Sequence, residues 1–141
     1  MTQSLYQDDI KALAKREMAE QELAHPDCSI TLDNPLCGDR VTMALRLEGD
    51  RIVAEAHQVK GCLLCRASAN AIGESVIGRS RDELPQVAAA LQAMLKGEVP
   101  ENWPLPGWES LKVFQPVTDH KSRHDCVMLP FKALGKALQQ N

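Results

Sequence analysis

From Leu5 to Leu23 the apolar or small positions Leu5, Ile10, Leu13, Ala14, Met18 and Leu23 recur at roughly helical spacing among charged residues. This predicts an amphipathic helix, ended by His25-Pro26. The period then changes. Val41, Met43, Leu45 and Leu47 alternate with Thr42, Ala44, Arg46 and Glu48, and Gly49-Asp50 leads into the β-favouring Arg51-Ile52-Val53, which together predict an antiparallel hairpin. A third strand is expected at Cys28 to Leu32. After Gly61, the Ala-, Leu- and Ile-rich stretch from Leu63 to Ile77 reads as a helix stopped by Gly78. Ser80-Arg81-Asp82-Glu83 has the form of a capping box, with Pro85 tolerable in the first turn of a helix that runs to Lys96-Gly97. Pro100, Pro104, Pro106 and Gly107 then mark a connecting loop pinned by Trp103 and Trp108, and Val127 to Leu138 is helical in pattern, with Pro130 an irregularity near its start.

A chain of 141 residues with 44% hydrophobic and 25% charged residues fits one globular domain, 1–141. A net charge of −3 and 4% aromatic residues supply neither the electrostatic footprint nor the stacking platforms of a nucleic-acid binder. The first residues contain no apolar core of signal-peptide length and no later run is long enough to cross a bilayer, so a cytoplasmic protein without a membrane partner is expected. In that setting five cysteines, an odd number, fit metal or sulfur chemistry better than a disulfide framework.

The chemistry concentrates in three places. Asn34-Pro35-Leu36-Cys37-Gly38-Asp39 sets a thiol and a carboxylate two residues apart on a loop stiffened by Pro and Gly; Cys62 follows Gly61 at a strand-to-helix break; and Cys126 opens the last helical run. Three soft sulfurs and one harder, more exchangeable oxygen form a donor set for zinc or for iron–sulfur iron. Cys62 and Cys126 both lie near helix N-termini, where the dipole favours thiolate. Cys37, on an expected exposed turn, is the candidate for a mobile, reactive sulfur within reach of a partner protein.

The plainer alternative is that cysteines simply fill a core, as unpaired cysteines commonly do. Cys28, in an expected strand, fits it. Cys65 makes Cys-x-x-Cys with Cys62, the spacing of a redox pair or zinc knuckle, but equally suits a packed position one turn into a helix, and packing beneath the site is the expectation. His25 and His57 read as surface or strand-end residues, while His124 is near enough in sequence to Cys126 to join the site. Lys121 and Arg123 would lower the pKa of a neighbouring thiol and Asp125 would oppose them.

With these residues in view, the chain resembles the U-type iron–sulfur cluster assembly proteins, the group of IscU, SufU and the N-terminal domain of NifU. The resemblance covers most of the chain. It rests on Asn34-Pro35-Leu36-Cys37-Gly38-Asp39-Arg40 before a hairpin, on Gly61-Cys62 before the small-residue helix containing Ala67-Ser68-Ala69, and on Arg123-His124-Asp125-Cys126 leading into Phe131-Lys132-Ala133-Leu134. The long stretch between Cys62 and Cys126 is more like the SufU subgroup. So is the residue before the last cysteine, which is histidine in IscU-like proteins and Asp125 here. Cys65 departs from the family pattern.

The resemblance implies an α+β fold, a small three-stranded antiparallel sheet packed against about four helices, with the metal site at one end. It implies Cys37, Asp39, Cys62 and Cys126 as ligands of zinc or of a two-iron, two-sulfur cluster. Two roles follow: a scaffold on which a cluster is built and passed to carrier or apo-proteins, or a zinc-dependent acceptor of persulfide sulfur from a pyridoxal-phosphate cysteine desulfurase, with Cys37 as the accepting sulfur. The competing readings are a thiol oxidoreductase using Cys62 and Cys65, disfavoured by the missing βαβ pattern, and a closed structural zinc adaptor with unreactive thiols.

Overall fold

The computed structural model describes residues 8–18, 22–36 and 38–140. Among them helix α1 spans Asp8–Lys15, strands β1, β2 and β3 span Cys28–Asn34, Asp39–Glu48 and Arg51–Lys60, and helices α2, α3 and α4 span Leu63–Ser75, Leu84–Leu95 and His124–Leu138. Short 3-10 turns precede α3 (Arg81–Glu83) and α4 (Lys121–Arg123), and a longer 3-10 segment covers Glu109–Asp119.

The strands form one antiparallel sheet in the order β1-β2-β3. Alternation along β2 puts Val41, Met43 and Leu45 on the inner face, fully buried. Helix α4 packs across β1 and β2, α2 packs on β3 and α4, and α1 packs on α2. Small residues make this possible: Ala67, Ser68, Ala69, Asn70 and Ala71 of α2 are all buried, so α2 is enclosed on several sides at close range. Its hydroxyl at Ser68 donates to the Val127 carbonyl of α4 at 2.6 Å, a direct tie between these helices. On the far side of α4, Trp108 meets Phe131 with ring centroids 6.1 Å apart.

The expected sheet and helices are present, with differences that have physical causes. The first helix was expected over Leu5 to Leu23; Leu5 lies outside the described residues, and the helix ends at Lys15. There the Asn70 amide donates to the carbonyls of Leu13, Ala14 and Arg16, terminating the helix from a neighbouring element rather than at His25-Pro26. The expected loop over Pro100 to Gly107 is present, and beyond it a 3-10 segment not expected from the sequence runs over Glu109–Asp119. Trp108, Leu111, Phe114 and Val117 recur every third residue and all are buried, the period of a 3-10 turn and not of an α-helix. Helix α4 starts at His124, earlier than expected, and keeps Pro130 inside it. Since proline has no N–H, the helix cannot return a bond to the carbonyl of Cys126, four residues back.

His57 is a correction. Counted from the Gly49-Asp50 turn, Glu55 and His57 belong to the outer face, but the register shifts between Arg46 and Leu47, and beyond it Glu55 pairs with Leu45 and His57 with Met43. One extra residue in β3 turns the following side chains over. The His57 side chain therefore faces inward, 5% exposed, rather than lying on the surface.

Replacing Ser68 by Ala should cost about 1 kcal/mol by removing the tie from α2 to α4, read as a lower denaturant midpoint at unchanged slope.

Candidate metal centre

The antiparallel register brings the start of β2 beside the end of β3, with Arg40 opposite Lys60. Asp39 and Gly61 thus become neighbours at one edge of the molecule, and the N-termini of α2 and α4 arrive at the same place. Gly38, at φ 76°, takes the left-handed conformation that lets the chain turn into β2. Asp39 opens that strand and is only 2% exposed, so the carboxylate expected on a loop is a buried group.

Its Oδ1 accepts the backbone N–H of Cys62 at 2.9 Å, and its Oδ2 lies 3.7 Å from Cys62 Sγ. Cys62 is the N-cap residue of α2, in an extended conformation. Asp39 thus accepts, from the start of β2, the N-cap residue's own N–H, the contact that an N3 carboxylate makes in a capping box. Gly61 is required by this contact: a Cβ there would lie 2.2 Å from Asp39 Oδ1.

Cys126, in the first turn of α4, is 1% exposed. One oxygen of Asp39 and the sulfurs of Cys62 and Cys126 all lie within 4.8 Å of one another. The hydrogen bond from Cys126 does most to pull the Cys62 thiol down; burial opposes it, the backbone N–H groups of Cys65 and Leu64 assist, and the charge of Asp39 opposes, leaving a pKa of about 6. The Cys126 hydrogen bond, assisted by these helix N-terminal amides, thus favours the thiolate form of Cys62.

Of the four expected ligands, three converge, and Cys37 lies outside the described residues. Cys65 is fully buried one turn beyond Cys62 and is not in the ligand group, in keeping with its expected packing role. Cys28 is buried in β1. His124 is not in the group either: its Nε2 donates to the carbonyls of Val117 and Thr118 at 3.0 and 3.2 Å, closing the end of the 3-10 segment. Asp125 stays largely exposed at the rim, 4.0 Å from Lys132 Nζ. Sequence reasoning missed the steric role of Gly61 and the tie made by Ser68; only the small residues at those positions hinted at close approach.

This geometry agrees with what is found among known proteins. The sequence profile of the NifU-like N terminal domain matches residues 11–127, and the chain belongs to that family. It is similar to the iron-sulfur cluster assembly scaffold protein IscU of Streptococcus pyogenes, with 26% identity over 80% of this chain and 70% of that one. The zinc-dependent sulfurtransferase SufU of Bacillus subtilis is 27% identical over 77% of this chain and 73% of that one. Among solved structures, the N-terminal NifU-like protein of Brucella abortus superposes with a TM-score of 0.90 at 34% identity, covering 99% of this chain and 95% of that one. The iron-sulfur cluster assembly scaffold protein of Fervidobacterium islandicum gives 0.84 at 27% identity, covering 98% and 99%.

In metal-free protein, alkylation of Cys62 should hold its rate down to a pH of about 6 and fall tenfold per unit below it, as the thiolate is protonated. Peptide mass spectrometry of iodoacetamide-treated samples reads this directly, and a midpoint above 8 contradicts it. Gly61→Ala should displace the Asp39 carboxylate and lower bound metal per chain, while circular dichroism still reports a folded protein.

Proposed function

We propose that this NifU-like domain serves iron–sulfur cluster biogenesis by holding a metal through Cys37, Asp39, Cys62 and Cys126, with Cys37 receiving sulfur from a pyridoxal-phosphate cysteine desulfurase. The observation that carries this reading is the convergence of buried Asp39 and Cys126 with half-buried Cys62 in a chain whose relatives include a zinc-dependent sulfurtransferase and cluster assembly scaffold proteins.

The donor set fits the metal. Ligand atoms on a tetrahedral zinc with bonds of about 2.3 Å to sulfur stand about 3.8 Å apart, and Cys62 Sγ already lies 3.7 Å from Asp39 Oδ2. Bound zinc would keep the cysteines ionised and fixed in place. This chain's own part is to bury Asp39 and Cys126, to aim helix N-terminal amides at Cys62 and to supply in Asp39 a harder oxygen that exchanges more easily than sulfur. In the sulfur step, the Cys37 thiolate attacks the outer sulfur of the desulfurase persulfide. The donor S–S bond breaks, a new S–S bond forms on Cys37, and the desulfurase cysteine leaves as thiolate.

The scaffold reading uses the same four donors around a two-iron, two-sulfur cluster, which is then cargo for carrier or apo-proteins; the name of the Streptococcus relative favours it. Metal analysis and a visible spectrum of protein purified without oxygen separate the two: stoichiometric zinc and no visible band support sulfur acceptance, whereas iron, acid-labile sulfide and visible charge-transfer bands support the scaffold.

A Cys62→Ser, Cys126→Ser double variant should lose stoichiometric metal, and full retention would remove the proposed centre. After incubation with desulfurase and cysteine, mass spectrometry should find the persulfide abolished by Cys37→Ser and preserved by Cys65→Ser, because Cys65 is fully buried. The reverse pattern would make Cys65 the working sulfur.

A further inference from the structure

Away from the metal centre, a chain of hydrogen bonds crosses three elements. His57 Nδ1 lies 2.7 Å from Glu55 Oε2 and His57 Nε2 lies 2.8 Å from Asn70 Oδ1. The other end of the Asn70 amide donates to the carbonyls of Leu13, Ala14 and Arg16 at 2.8, 3.2 and 3.2 Å. Those three acceptors fix which way the amide points, because flipping it would set an oxygen against three carbonyl oxygens. Oδ1 must then face His57 and accept from it. The carboxylate of Glu55 also accepts. Both ring nitrogens are thus donors, and a histidine that donates from both nitrogens is the imidazolium.

We propose that His57 is a proton-gated latch for the N-terminal helix: protonated, it fixes Asn70 so that the amide caps the end of α1, and deprotonated, it releases that cap and loosens α1 from α2. Loss of either ring proton leaves a lone pair facing an oxygen, either the Glu55 carboxylate or Asn70 Oδ1. In the second case the amide recovers a bond to His57 only by rotating, which abandons the three carbonyls of α1. The site is dry enough for this to matter, with the side chains of His57 and Glu55 5% and 2% exposed.

The surrounding charges favour the same state. Glu55 from β3 faces the ring directly. Arg16, Glu17 and Arg66 line the adjoining cleft, Glu22 lines a separate cleft with Thr42, Ala44 and Gln58 on the sheet's other face, and Glu74 of α2 is held by Arg16 at 2.7 Å. Burial alone would push His57 down, but the hydrogen bond and charge of Glu55, with the bond to Asn70, more than offset it and raise its pKa above the ordinary histidine value. Because the docked pKa is the higher one, docking is firmest below the ordinary histidine pKa and weakens as pH rises through the docked value. The Arg16–Glu74 pair, at 51% and 28% exposure, holds α1 only weakly.

Nitrogen-15 spectra of the intact protein should show both His57 ring nitrogens protonated at neutral pH, with titration above the free-histidine range. Protection factors of the α1 amides, already corrected for intrinsic exchange, should fall tenfold per pH unit between the undocked and docked pKa. In His57→Phe they should be lower and independent of pH. A neutral single tautomer at pH below 6.5 in the unmodified protein, or α1 protection that does not change with pH, overturns the latch; both readings come from the native chain, so they decide the matter even if the variant does not fold.

Discussion

A carboxylate buried at the start of one strand and receiving the N–H of the residue that opens a helix holds the functional end of this molecule together. Asp39 is nearly inaccessible, its Oδ1 is committed to the Cys62 amide, and its Oδ2 faces the Cys62 sulfur. A buried carboxylate is costly unless its lone pairs are satisfied. The amide at the N-terminus of α2 satisfies one and the neighbouring thiol approaches the other. This single group therefore fixes the junction of β2 with α2 and points one oxygen toward the place where two sulfurs meet. Gly61 is the complementary constraint, since any side chain there would occupy the space of the carboxylate.

The electrostatics of that place are unusual for a protein interior. A carboxylate, a thiol of lowered pKa and a second cysteine lie close together under little solvent. Helix dipoles moderate the accumulation of negative charge but do not neutralise it. A divalent cation does, and binding it returns free energy to the fold that brings its ligands together. In the proposed centre the described donors come from β2, the turn into α2 and the first turn of α4, so its affinity for metal would depend on the packing of α2 against α4, where Ser68 meets Val127.

Much of this was legible in the chain. Alternation marked β2, small residues marked α2, and the order of the three cysteine motifs marked the family, because each signal is local. What was not legible depends on events far away in sequence. α1 ends where it does because Asn70, more than fifty residues later, takes its carbonyls. The burial of the His57 side chain depends on one extra residue in β3, which reverses the face of every side chain after it. The 3-10 segment carried its own signal in Trp108, Leu111, Phe114 and Val117, but a period of three is masked by the prolines around it.

The departures from the family pattern also acquire a physical sense. The resemblance places histidine directly before the last cysteine in IscU-like chains, whereas here Asp125 stands there at the exposed rim and His124 turns its Nε2 to the carbonyls of Val117 and Thr118. A histidine engaged in closing the 3-10 segment serves the longer connection between Cys62 and Cys126, an element of the SufU-like form. Cys65, another departure, contributes through its backbone: its N–H bonds the Cys62 sulfur while its own side chain is buried below. The amide makes that contact whatever the side chain is, so the unusual cysteine at this position is compatible with an unaltered centre.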